Sequence, residues 1–168
     1  MKIVSGGQTG VDRAALDAAM ESCVKAGGWC PEGRKAEDGA IPEKYPVKEL
    51  SKAGYRQRTK RNVIDSDGTA IIYFGYPAGG TEQTILLCIE EQKPYVLIDA
   101  EELSVELASR RIEKFIEDQL ISVLNVAGPR ASGEPGAYAY VKNLILSVLR
   151  SMSRHSVNER DGLFEGVL

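Results

Sequence analysis

The chain is 168 residues long and 43% hydrophobic, which suffices for one domain with a real core and is too short for two ordinary domains. Its net charge of -3 and pI near 5.3 argue against a nucleic-acid-binding or membrane-surface protein, and no apolar run approaches the roughly 20 residues needed to span a bilayer. An opening strand in place of a secretory signal, three cysteines (Cys23, Cys30 and Cys88) without a C-x-x-C pair, and a single histidine, His155, in a poorly patterned tail predict a cytoplasmic protein with reduced thiols and no histidine-based metal or catalytic centre.

In chain order, Lys2-Ile3-Val4 predicts a first strand, and Ser5-Gly6-Gly7-Gln8-Thr9-Gly10 joins it to a helix whose Val11, Ala14, Ala15, Ala18 and Ala19 recur at helical spacing. The first N–H groups of such a helix lack intrahelical partners, and glycines let a phosphate or oxyanion approach the backbone. Gly6, Gly7 and Gly10, with Gln8, Thr9, Asp12 and Arg13, are therefore a candidate anion site. A tight turn needing glycine for positive φ is the plainer alternative, because the spacing fits neither G-x-G-x-x-G nor the lysine-bearing phosphate loop. The helix is expected to reach about Lys25 and to be broken by Gly27-Gly28. Gly28-Trp29-Cys30 then supplies a short second strand with Trp29 as a core side chain, and a polar loop follows through Arg34, Lys35, Glu37, Asp38 and Gly39.

From Pro46 to Asn62 the pattern is helical, and the row Leu50, Gly54, Arg58, Asn62 starts apolar, so Arg58 and Asn62 are expected to point inward, where a guanidinium makes sense beside a bound anion. Thr69 to Phe74 reads as a strand buried on both faces. After it, Gly75-Tyr76-Pro77-Ala78-Gly79-Gly80-Thr81 repeats the glycine-rich strand-to-helix turn, with Gly79 and Gly80 admitting a ligand and Thr81 capping the helix or bonding an oxyanion. A fourth strand at Tyr95–Ile98, a helix from about Ser104 to Gln119 and a fifth strand at Ser122–Ala127 lead into the loop of Gly128, Pro129 and Arg130. The last helix is expected to run to about Arg150, leaving a ligand-binding domain of residues 1–150 and a C-terminal tail of residues 151–168.

Alternating strands and helices predict an α/β fold with a mainly parallel sheet of about five strands, so the loops at Gly6, Gly75 and Gly128 leave the same sheet edge. The first and third strands are expected to be neighbours there, and three helix N-termini facing one crevice describe a site for an anionic, phosphorylated small molecule.

Ser5–Arg13, Gly28-Trp29-Cys30-Pro31 with Gly33–Gly39, Arg58-Thr59 with Asn62-Val63, Ser66–Thr69, Gly79-Gly80-Thr81 and Asn125–Arg130 together closely resemble the family named molybdenum cofactor carrier proteins, over about residues 1 to 150. That family is also described as circularly permuted relatives of the YpsA proteins, in a superfamily with the LOG and DprA proteins. The resemblance implies a single Rossmann-like, three-layer α/β/α domain, a homo-oligomer, molybdopterin as the bound molecule and molybdoenzymes as partners, with a nucleotide as the alternative ligand. Arg13, Arg34, Arg58 or Arg130 would supply charge to the phosphate. A nucleotide-cleaving enzyme like the LOG phosphoribohydrolases is the competing reading, and a ligand sensor is a third. The LOG motif P-G-G-x-G-T-x-x-E ends in glutamate where this chain, aligned on Gly80-Thr81, has Thr84. With no histidine in the patterned domain and Asp12 and Glu82 in first helical turns, the residues favour a binding protein over an enzyme.

Overall fold

The computed structural model describes residues 1–161, with side chains to residue 154. Its elements run β1 (Lys2–Val4), α1 (Val11–Glu21), β2 (Lys25–Gly27), β3 (Trp29–Pro31), β4 (Lys35–Ala36), β5 (Gly39–Ala40), β6 (Lys48–Leu50), α2 (Tyr55–Ile64), β7 (Gly68–Tyr73), α3 (Gly80–Glu90), β8 (Tyr95–Asp99), α4 (Val105–Asp118), β9 (Val123–Ala127) and α5 (Ala137–Asp161). Five of the strands form one parallel sheet in the order β2-β1-β9-β7-β8. Val4 stands opposite Gly27 and Asn125, and Ile71 opposite Ala127, so the chain leaves β1, β9 and β7 along one edge.

Strand β7 shows why its run is apolar throughout: Ala70 and Ile72 pack with α1, α4 and α5, while Ile71 packs on the opposite face with Val63 of α2 and Leu87 and Cys88 of α3. This is the expected three-layer α/β/α, Rossmann-like arrangement. The alanine face of α1 lets it lie close to α5, and Leu16 on its other side anchors a small cluster of Cys30, Ile41, Tyr45 and Val47.

Several boundaries differ from those expected. Helix α1 stops at Glu21, because Cys23 adopts φ 54° and the Val24 N–H donates back to Ala19 O at 2.8 Å. The chain thus has room for β2 at Lys25–Gly27, beside β1. The expected second strand does form, as β3, but it pairs with β6 outside the main sheet. Residues from Pro46 to Ser51 are accordingly not helical, and α2 begins only at Tyr55. Trp29 is half-buried, not core: its indole N–H donates to Asp65 Oδ2 at 2.8 Å and Arg61 lies 5.5 Å over the ring. The last helix continues past Arg150 to Asp161, and the rest of the tail, residues 162–168, lies outside the described residues.

The expected neighbourhood of the first and third strands is also corrected, since β9 lies between β1 and β7. Moving the final strand and helix to the front of the chain turns the sheet order into 3-2-1-4-5, that of dinucleotide-binding folds. The helices that follow β9 and β7 pack on opposite faces, so the chain parts between these two strands and leaves a crevice at their C-terminal ends.

One buried-edge cluster ties three segments together. Asp17 of α1 accepts from Tyr138 Oη at 2.8 Å, Tyr45 Oη at 2.9 Å and Lys44 Nζ at 3.1 Å. Burial pushes the Asp17 carboxyl up, but these bonds and the Lys44 charge outweigh it and hold the group below its ordinary value of 3.8. A depressed carboxylate stabilises the fold above its unfolded pKa and loses that contribution as pH falls through the folded one. Urea midpoints should therefore drop below about pH 4, and Asp17→Asn should flatten that acid limb. Parallel acid limbs in the two proteins would remove Asp17 as a source.

Candidate functional site

The crevice between β9 and β7 holds a cavity of about 500 Å³, within the range that takes a small ligand. One wall is α2, through Tyr55, Arg58 and Thr59, and the other is the start of α3, through Ala78 to Thr81 and Thr84. The end of β9 and the loop through Arg130 to Gly133 form the back, with Gln8 and Asp12 at the floor.

The floor is built around a buried ion pair. Arg58 Nη2 lies 3.2 Å from Asp12 Oδ2, with side-chain exposures of 13% and 5%. Asp12 also accepts from the Gln8 N–H at 3.2 Å. Burial pushes the Asp12 carboxyl above its ordinary value, against the opposing effects of Arg58, the Gln8 N–H and the Ser5 hydroxyl. Gly6 makes the pair sterically feasible: a methyl group at Gly6 would stand 1.8 Å from Arg58 Nη1 and 2.8 Å from Asp12 Oδ2. The inward arginine was legible in the sequence, although the row that suggested it began at Leu50, which belongs to β6 and not to α2.

Two buried donors at this floor lack protein partners, Gln8 Nε2 and Arg58 Nε. The Gln8 amide cannot turn over to relieve the first of these. Its Oε1 already accepts from Thr9 N and Glu37 N, both at 3.0 Å. A buried donor without an acceptor costs on the order of 1–3 kcal/mol.

Above the floor stands the N-terminus of α3. Its cap residue is Gly79, and no side chain caps it. A methyl group at Gly79 or Gly80 would meet nothing within 4 Å. Thr81 N donates to Ala78 O at 3.1 Å, and the positive dipole end of the helix, with Gly79 and Gly80, lines the cavity, an arrangement that favours an anion. Thr81 is buried beside them, and Thr84, which also lines the cavity, donates to Gly80 O at 2.9 Å. Glu82, the carboxylate the hydrolase reading would need, is exposed and is not a lining residue.

The first glycine loop serves differently from the expectation. The N-terminus of α1 is closed by the chain itself: Val11 N donates to Pro129 O at 3.2 Å and Arg13 N to Gln8 O at 3.1 Å. Gly10, at φ 73°, permits this, since a methyl there would lie 2.6 Å from Pro129 O. Gly7 packs beneath Ile41, and Gly128 lies against Val11 and Ile72 O. Thr9 bonds Glu37 and accepts from Ala131 N at 3.1 Å. Arg13 is held in a forked pair by Asp38 at 2.6 and 2.8 Å. Arg34 donates to the carbonyls of Ile41, Pro42, Tyr45 and Val47, which fixes that loop well away from the crevice. Asn62 lines the cavity, but its amide is engaged by the backbone N–H and C=O of Trp29 at 2.8 and 2.9 Å. The third helix N-terminus, that of α5, begins at Ala137, beyond the lining loop.

Of the residues expected at the site, the structure thus brings Gln8, Asp12, Arg58, Asn62, Gly79, Gly80, Thr81, Gly128, Pro129 and Arg130 to one cavity. It leaves Gly6, Gly7, Thr9, Gly10, Arg13 and Arg34 in supporting positions. Tyr55, Thr59 and Ser132 were not singled out from the sequence. Only Thr59 carries a signal there, one residue after Arg58. Asp67, in the bend before β7, accepts from Ser122 N and Val123 N at 2.9 and 2.7 Å and pins the start of β9.

The permuted strand order has a counterpart among known proteins. The model of the circularly permutated YpsA SLOG family matches residues 3–149. The chain belongs to that family. A crystal structure of a protein from Syntrophus aciditrophicus SB, provisionally named a molybdenum carrier protein, is similar to this permuted YpsA chain at a TM-score of 0.86 and 44% sequence identity, covering 88% of this chain and 94% of the other. No curated protein matches the chain. Among the described residues no helix of this family member is long and apolar enough to cross a membrane, and no three His, Cys, Asp or Glu side chains stand together as a metal site.

Proposed function

We propose that this protein is a molybdenum cofactor carrier that holds its cargo, a phosphorylated pterin, in the crevice between β9 and β7 without cleaving it. The observation that carries the reading is the glycine-built start of α3, at Gly79-Gly80, opening on the same cavity as Gln8 and the buried Arg58–Asp12 pair. Such a set of donors recognises an anion bearing acceptor oxygens. The name of the 44% identical neighbour supports the choice of a molybdenum-linked cargo. In this reading the phosphate lies at the start of α3 and the metal stays on its organic ligand.

Release of the cargo unchanged fits the electrostatics of the floor. Asp12, the buried carboxylate of the cavity, already accepts from Arg58 and the Gln8 N–H, so it is a group held in an ion pair and not one free to relay protons to a leaving group. The reading extends to a cytoplasmic homo-oligomer that hands its cargo to molybdoenzymes, which rests on the family resemblance.

Gly80→Val tests the placement. Since Gly80 faces open space, the branched side chain fits the fold but fills the cavity beside the helix start. The variant should keep most of the wild-type melting temperature and lose at least tenfold in affinity for the phosphorylated pterin, on the order of one charge-assisted contact. Equal ligand-induced rises in melting temperature for the two proteins would place the site elsewhere.

A further inference from the structure

We infer that Tyr55 and Arg130 form a clamp for a planar heteroaromatic ring at the mouth of the cavity, which deepens the proposed carrier reading and rests on it. Tyr55 is the first residue of α2 and is 43% exposed, so its ring is accessible at the mouth of the cavity it lines. Arg130 comes from the opposite side, on the loop after β9, and its guanidinium carbon lies 5.9 Å over the Tyr55 ring centre. Both line the cavity, so this cation–π contact bridges its two rims.

A ring stacked between two planes needs about 3.5 Å on each side, or about 7 Å in all. With its guanidinium carbon 5.9 Å from the Tyr55 ring centre, Arg130 is in contact with the ring and must swing outward to admit a second ring between them. Arg130 is able to move: it is half exposed, and its one ionic partner among the described residues, Glu37, lies at 3.9 Å, near the limit of a salt bridge. Tyr55 is the fixed jaw, set on the first turn of a helix whose start is held by Gln57 Oε1 accepting from Gly54 N at 3.2 Å. Arg130 accordingly acts as a stacking plane, and the anion end of the ligand is left to the α3 N-terminus and the floor donors.

The test compares two probes that share a phosphate and differ in the ring: guanosine 5′-monophosphate and ribose 5-phosphate, titrated calorimetrically into the wild type, Tyr55→Ala, Tyr55→Phe and Arg130→Met. The wild type should bind the nucleotide about tenfold or more tightly than the sugar phosphate, as stacking on one aromatic side chain implies. Tyr55→Ala should erase that preference while leaving the sugar phosphate affinity within about twofold, Tyr55→Phe should retain it, and Arg130→Met should weaken the nucleotide selectively. If the wild type binds both probes equally, or if Arg130→Met weakens both alike, the clamp is overturned and the phosphate site stands. If neither probe binds while the phosphorylated pterin does, the clamp is overturned and the carrier reading stands.

Discussion

Arg58→Met is expected to lower stability by about 3–5 kcal/mol at neutral pH, the cost of leaving a buried charge without its partner. Asp12 is almost fully buried, and Arg58 is its ionic counterpart at 3.2 Å. Methionine preserves the length of the side chain and removes only the charge, so the loss measures desolvation of Asp12 and not a cavity. At roughly 2–4 °C per kcal/mol for a chain of this size, the melting temperature should fall by about 10 °C. The pH dependence has a definite sign. Burial already raises the Asp12 carboxyl, and losing Arg58 raises it further. A group with a raised folded pKa binds more protons in the native state, so stability declines as pH rises through the window between its ordinary value of 3.8 and the folded value. The deficit of Arg58→Met should therefore shrink as pH falls across that window. Asp12→Asn combined with Arg58→Met should recover most of the stability and none of the ligand affinity. A single variant as stable as the wild type would show the pair to be solvated.

Gly6→Ala should produce nearly the same loss by an unrelated route. The added methyl would occupy the place of the Arg58 guanidinium, at 1.8 Å from Nη1. Arg58 must then withdraw, and Asp12 is again left buried without its counter-charge, at about 3 kcal/mol. Because Gly6 has an ordinary backbone conformation, little of this cost is strain. A double-mutant cycle separates the causes: in an Arg58→Ala background most of the Gly6→Ala penalty should vanish, since the displaced group is gone. Full additivity would mean that the methyl clashes with the main chain or with Asp12 Oδ2 alone.

How far the sequence was readable follows from what each signal encodes. Periodicity reports burial, so the apolar runs of β7, β8 and β9 and the face of α4 were visible, the last of these down to its Ser104 cap. Strand β2 was missed because it is three residues of Lys-Ala-Gly at a sheet edge, and because a helix end without glycine gives no local warning. Three helices end on left-handed non-glycine residues, Cys23, Gln92 and Leu120, where glycine is the usual signal. Sheet order was beyond reach, since the insertion of β9 between β1 and β7 depends on pairing across the whole chain. The glycine loop at residues 5–10 shows the limit most clearly. Its composition suggests an anion cradle, yet Pro129 O, over a hundred residues away, closes that helix start, and the glycines make room for Arg58 and the returning chain. At the equivalent loop Thr81 N turns back to the neighbouring Ala78 O at 3.1 Å, and among the described residues no distant segment packs against Gly79 or Gly80.

In the proposed function the crevice recognises a phosphate through the start of α3, above the floor of Gln8 and Arg58. Calorimetric titration of the wild type with the phosphorylated pterin and with its dephosphorylated form tests this most directly. One site per chain is expected for the phosphorylated compound, with at least a tenfold loss of affinity on removing the phosphate and the compound recovered intact afterwards. Equal affinity for the two forms, or recovery of a cleaved product, would contradict it.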